Sequence, residues 1–208
     1  MKQAHVGTLS VTGEGQVKVR PDIAWIHLTI LTEAKVAQEA AEQNAARTAQ
    51  LIEQMRGLGI PAEDLRTVGL HLYPVYSFEE GPDRGRLIGY RAEDTIRVEA
   101  PVELAGKVFD AGIAAGADQA SSLSFGLRDE APFRAQALVG AVEAARRDAE
   151  AVVTALGRQL LGVQSIEIEP GGGVMMRQTA RAELRVTTPV LPGELTVTAR
   201  VRLTYEFI

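Results

Sequence analysis

The C-terminal stretch alternates almost without fault. Leu195, Val197, Ala199, Val201, Leu203, Tyr205 and Phe207 interleave with Thr196, Thr198, Arg200, Arg202, Thr204 and Glu206. A strand here would bury one face and wet the other. Residues 23–33 read differently. Ala24, Ile26, Leu28 and Ile30 share one face, and Ile23, Trp25, His27, Thr29 and Leu31 share the other. Apolar residues on both faces predict a central strand. Near the N-terminus, Leu9-Val11 and Val17-Val19 sit on alternating positions either side of Gly13-Glu14-Gly15. This pattern predicts a hairpin with a bulge or sharp twist at the glycines. A second hairpin is expected from two long strands, 65–76 and 87–99, joined by the polar loop 79–85. In its second strand Ile88, Tyr90, Ala92, Ile96 and Val98 face one way, with Arg91, Glu93, Thr95 and Arg97 opposite.

Helical spacing takes over at 35–55, where Ala37, Ala41, Asn44, Thr48, Leu51 and Met55 form one stripe. Gly57-Leu58-Gly59-Ile60-Pro61 ends it. Residues 102–115 predict a short helix stopped by Gly116, and 119–127 a strand. The longest helix is expected over 131–160, with Phe133, Leu138, Ala141, Ala145, Val152 and Leu156 as its apolar positions. A strand follows at 163–169. Then comes a long loop, 170–193, in which 182–187 could form a short edge strand. The order ββαββ followed by αβαββ predicts an α+β fold. It would combine long antiparallel hairpins and a mixed sheet with about three helices, in one domain over 7–208 that subdivides near residue 100.

Composition narrows the functions. Aromatic residues are 5% of the chain, with a single Trp, so the core must be aliphatic and alanine-rich and offers few stacking surfaces. The net charge of -5 comes with arginines interleaved among acids, as at Arg146, Arg147, Asp148 and Glu150. Such a surface gains little from counterion release, so nucleic acid is not an expected partner. The absence of cysteine removes disulfides, thiolate metal sites and a thiol nucleophile together. No segment approaches the roughly 20 apolar residues that span a bilayer. Met1-Lys2-Gln3-Ala4-His5-Val6-Gly7 lacks the apolar run of a signal peptide. The expectation is a cytoplasmic protein if Met1 is the native start, or an extracytoplasmic one if a signal segment has been removed.

The search for chemistry finds no reactive cluster. His5, His27 and His71 are scattered, although His27 and His71 would share a sheet face if their strands paired. The pair Ser121-Ser122 has no nearby base and no nucleophile elbow. Gly13-Glu14-Gly15 lacks the third glycine of a dinucleotide loop, and no Lys-Ser or Lys-Thr follows Pro170-Gly171-Gly172-Gly173. Glu167 and Glu169 alternate on one strand face, as solvent-facing acids do. Asn44 is the polar exception on the apolar stripe of the first helix. An unpaired amide there would cost about 1–3 kcal/mol, so it is expected to bond to strand backbone or a neighbouring side chain. Met175 and Met176 fall in the long loop. They suit either reversible oxidation to the sulfoxide or packing against another subunit. No catalytic residue, cofactor or metal ligand is expected, and the chain is not expected to be an enzyme.

Several short segments, taken in order, resemble the SIMPL-domain family of YggE-like and periplasmic immunogenic antigen-like proteins. They are Gly13-Glu14-Gly15 with Val17, Arg20-Pro21-Asp22 with Ala24, Asn44, Leu58-Gly59-Ile60 and Tyr73-Pro74-Val75-Tyr76. Gly89-Tyr90, Gly116-Ala117-Asp118, Ala144-Ala145-Arg146 with Ala149, Met175-Met176, Pro189-Val190 and Pro192-Gly193-Glu194 complete the series. The resemblance spans about residues 7–208. It implies an α+β fold, export in bacteria, and an association with oxidative-stress defence or the cell envelope. It also implies self-assembly into ring-like, channel-shaped homo-oligomers, and the chain's own long hairpin strands over 65–99 with the loop at 77–86 are expected to be available for subunit contacts. A signalling adaptor that binds a ligand or protein without closing into an oligomer is the alternative it leaves open. It carries over no catalytic residues.

Overall fold

The computed structural model describes residues 6–77, 85–170, 174–177 and 188–208. In chain order the elements are β1 (Gly7–Val19), β2 (Ile23–Ala34), α1 (Ala37–Gly57), β3 (Leu65–Tyr76), β4 (Leu87–Pro101), α2 (Ala105–Ala114) and β5 (Gln119–Gly126). They continue with α3 (Ala131–Ala155), β6 (Leu160–Ile168), β7 (Val174–Arg177) and β8 (Glu194–Phe207). The chain divides into two units: one holds β1, α3, β6, β7 and β8, and the other, Asp22–Gly126, holds β2 to β5 with α1 and α2. Residue 100, near which a subdivision was expected, lies inside β4.

Each unit is α+β, with a four-stranded sheet. In the second unit the strand order is β3-β4-β2-β5, so β2 is central. In the first, β8 lies between β1 and β6, and β7 pairs with the leading end of β8. The expected mixed sheet is replaced by antiparallel pairing throughout the described residues. The cause is the return strand. β2 and β3 run the same way, but β4 lies between them and opposes both, and β8 does the same for β1 and β6.

The hairpin expected at Gly13-Glu14-Gly15 does not form. β1 pairs with β8 in unbroken register from Gly7↔Phe207 to Val19↔Leu195. Neither glycine takes a positive φ. Both are buried on the face that meets α3. A Cβ on Gly13 would lie 2.6 Å from the Ala145 nitrogen and closer still to the Ala141 carbonyl oxygen; one on Gly15 would collide with the Ala137 carbonyl oxygen. The glycines therefore provide a close seat for a helix rather than a turn. On α3 the buried residues are Ala137, Ala141, Ala145, Ala149 and Val153, a stripe at every fourth position cut almost entirely to methyl groups. Val152 and Leu156, expected on the buried side, are exposed because the stripe winds past them. The helix also ends earlier than 160, at Ala155, where Gly157 supplies a φ of 63°. At its start, Asp129 Oδ1 accepts the Ala131 backbone N–H at 2.9 Å.

In the second unit the alternation of β2 and β4 buries Ala24, Ile26, Leu28 and Ile30 beside Ile96, Val98 and Ala100. Leu51 and Met55 of α1, with Ala105 and Val108 of α2, cover that face. Met175 and Met176, expected in a loop, stand in β7, paired with Thr196 and Leu195. β8 is longer than β6, so its leading residues offer free backbone groups that the returning chain takes up. The expected edge strand at 182–187, the tip of the loop at 77–86 and residues 171–173 lie outside the described residues.

Because the clash at Gly15 involves backbone on both sides, neither side chain rotation nor a rotamer change relieves it. Gly15→Ala should destabilise the fold by at least about 2–3 kcal/mol, read as a lowered denaturant midpoint, whereas Gly57→Ala, with nothing within 4 Å of its added Cβ, should not lower it.

Candidate functional site

Helix α1 lies over β2 and β4 and only grazes β3. Leu70 and Leu72 of β3 pair with Asp94 and Ala92 of β4, so they stand on the helix side of the sheet. Without helix above them they remain exposed, Leu70 to 72%. The gap forms an open cleft of about 480 Å³ lined by Ala41, Asn44, Ala45, Leu70, His71, Leu72, Ala92 and Asp94. This is the candidate site.

Two polar groups occupy its inner side. Asn44 is buried and its Nδ2 donates to the Ile30 carbonyl at 3.0 Å and the Ala92 carbonyl at 3.1 Å. One amide thus pins α1 to two adjacent strands. Asp94 is 8% exposed. It interrupts the otherwise apolar run of β4 between Ala92 and Ile96. Burial pushes its carboxyl above the ordinary aspartate range, partly opposed by the nearby Thr48 hydroxyl. Even so, neither Asp94 Oδ1 nor Thr48 Oγ1 has a hydrogen-bond partner. The sequence reading passed over Asp94. The signal was present as the one polar residue at a period-two position where every neighbour is apolar.

A second polar device lies at the end of β5. Asp118 Oδ2 accepts the Leu31 backbone N–H at 2.6 Å and lies 3.1 Å from Arg47 Nη2. Arg47 in turn donates to the carbonyls of Leu31 and Gly116, each at 2.6 Å. β5 begins at Gln119, opposite Thr29, and these side chains satisfy the backbone of β2 at Leu31, which β5 does not reach. Their role is to finish a sheet edge.

The other residues singled out in sequence do not gather. β4 separates the strands of His27 and His71; His27 lies opposite Arg97 and His71 opposite Glu93. His27 Nδ1 has only a long 3.4 Å contact with the Ser122 carbonyl. Ser122, at φ 56°, sits in β5 where the register shifts against β2. Glu169 and Glu167 face Arg202, at 3.3 and 3.9 Å. Arg200 and the Gln16 amide hold Glu14 below the usual carboxylate range, Gln16 being the larger cause. Among the described residues no three His, Asp or Glu side chains stand together as metal ligands. Nor is any described helix long and apolar enough to cross a membrane. His5 lies outside the described residues.

In the first unit the same mismatch of helix and sheet recurs. α3 covers β1 and β8 and barely reaches β6. Ile166 and Ile168 pair with Leu203 and Val201, which are buried, yet remain 65% and 53% exposed. With Leu138, Val139, Val142, Glu143 and Val201 they line a groove of about 300 Å³ whose one charged residue is Glu143.

Comparison with known proteins adds the following. The model of the family described as SIMPL, protein of unknown function (DUF541), matches residues 9–205. The 26 kDa periplasmic immunogenic protein of Brucella melitensis is 27% identical, over 95% of this chain and 84% of its own length. The uncharacterized protein YggE of Escherichia coli strain K12 is 27% identical over 74% of this chain and 63% of its own.

Two substitutions separate the roles of the polar pair. Asn44→Leu leaves the Ile30 and Ala92 carbonyls without their amide donor and should cost about 1–3 kcal/mol in denaturant unfolding. Asp94→Asn acts through pH. With its folded pKa raised, Asp94 contributes stability that is intact below the unfolded value of 3.8 and lost as pH rises through the folded value. Relative to the unaltered chain, Asp94→Asn should gain stability from acid toward neutral pH, and a pH-independent difference would contradict the assignment.

Proposed function

The chain belongs to the SIMPL family, and from that premise we propose that it is a non-enzymatic protein of the cell envelope whose working form is an assembly of identical subunits. The observation that carries this reading is β6. Every residue from Leu161 to Ile168 is exposed, including Leu161, Val163, Ile166 and Ile168. Water meets these side chains on the helix side of the sheet as well as the other. β6 pairs with β8 along one edge, and among the described residues nothing pairs with its other edge. A long, apolar, unpaired edge is a template for another strand. The groove beside it presents almost no charge to a partner. Val139 and Val142 extend the same apolar surface onto α3.

A second copy of this chain is the partner this surface fits. The patch is apolar where heterologous transient interfaces are usually mixed, and a symmetric contact would bury both copies' grooves at once. The extracytoplasmic location draws on the Brucella relative, whose name calls it periplasmic. An association with oxidative-stress defence, which the family resemblance suggests, stands beside this reading and is independent of it.

Light scattering coupled to size exclusion should give a mass that is a multiple of 22.3 kDa. Ile166→Lys should shift that mass toward the single chain while leaving the circular dichroism spectrum unchanged. A single-chain mass for the unaltered protein at high concentration would remove the proposal.

A further inference from the structure

The cleft of the second unit differs from the groove of the first in that its carboxyl group, Asp94, is buried, whereas Glu143 of the groove is exposed. We propose that this cleft binds a small apolar amine, with the alkyl or aryl part against Leu70, Leu72, Ala41 and Ala45 and the ammonium on Asp94. The inference is independent of subunit assembly, since every residue it uses belongs to α1, β3 and β4.

Five observations carry it. The cleft's volume of about 480 Å³ falls in the range typical of small-molecule sites, which are apolar clefts with a few placed polar groups. Asp94 is more than nine-tenths buried, and Oδ1, with the Thr48 hydroxyl nearby, meets no donor at hydrogen-bonding geometry. Buried carboxylates are ordinarily paired or hydrogen-bonded. Among the described residues the cleft's lining holds no lysine or arginine, and its one imidazole, His71, stands at the β3 position paired with Glu93 rather than Asp94. The residues opposite Asp94 on the two flanking strands are Leu70 and Ile30. The amide of Asn44, the polar group beside it on the cleft's inner side, is already committed to the Ile30 and Ala92 carbonyls.

A ligand that meets this carboxyl group must bring a donor and, to stabilise the ionised form, a positive charge. An ammonium supplies both. A fatty acid would set carboxylate against carboxylate. A neutral hydrocarbon would leave Oδ1 unsatisfied. A peptide amine or metabolite amine with an apolar body shares the required chemistry, and the hexylammonium ion stands in for this class.

The test titrates the chain of residues 1–208 with hexylammonium and, separately, with hexan-1-ol at the same pH, following backbone amide shifts by NMR. Hexylammonium should bind saturably, with shifts concentrated at 41–48, 70–72 and 92–94. Hexan-1-ol should bind at least about tenfold more weakly, because the charge-assisted bond is absent. Asp94→Asn should abolish the preference for the amine and leave the alcohol's affinity unchanged. Leu70→Lys, which puts a cation of the chain's own at the cleft wall, should weaken the amine while the fold persists. No saturable binding, equal affinity for amine and alcohol, or an amine preference that survives Asp94→Asn would each overturn the proposal. So would shifts confined to residues outside the cleft, or a cleft closed by a second copy, seen as amine binding that appears only when Leu70→Lys dissociates an oligomer.

Discussion

In both units the helices are narrower than the sheets they cover, and the exposed chemistry of the molecule follows from that mismatch. α3 lies over β1 and β8 and leaves β6; α1 lies over β2 and β4 and leaves β3. A strand on the helix side of a sheet keeps its apolar side chains whether or not a helix reaches it. At about 25 cal/mol per Å² of apolar area, leaving several such residues in water forgoes several kcal/mol of possible burial. That free energy is available to whatever covers the uncovered strand. In one unit the exposed surface is largely apolar, with Glu143 at the groove, and suits a copy of itself. In the other a buried acid breaks the apolar surface and suits a ligand carrying charge.

Two different devices hold each helix where it lies. α3 is seated by subtraction. Gly13 and Gly15 on the strand and the alanine stripe on the helix remove side chains until backbone meets backbone. Larger residues on either side would lift α3 and weaken its contact with β8. α1 is seated by addition. Asn44 reaches from the helix to two strand carbonyls, and Arg47 with Asp118 completes the backbone bonding of β2 where β5 does not reach. Dispersion and close packing secure the first helix, and directional bonds secure the second. Asn44, the polar side chain that stood out in the sequence, bonds α1 to two strand carbonyls.

Much of the fold was legible because alternation and helical spacing are strong in β2, β3, β4, β8 and α1. Family membership was legible from short segments in a fixed order, none specific alone. The N-terminal hairpin was misread because glycine signals both a turn and a close approach. Only the identity of the opposing element tells them apart, and α3 lies more than a hundred residues away in sequence. The outward drift of Val152 and Leu156 had a similar origin: size suggested burial, while the buried stripe is alanine at four positions and Val153 at the last. Asn44's place on the buried stripe could be read, but its two carbonyl partners come from separate strands whose pairing the sequence does not state. The cleft was invisible to local pattern, since it arises from where a helix fails to reach.

The most direct test of the uncovered-edge account is hydrogen exchange at the backbone of β6, followed across a wide dilution series. The amides of β6 that point away from β8 have no partner within the described residues. If that edge is where copies meet, these amides exchange slowly at high concentration and lose their protection on dilution, while those of β1 and β8 do not change. Rapid exchange of the outward amides at every concentration would show that the edge stays open to water and would contradict the account.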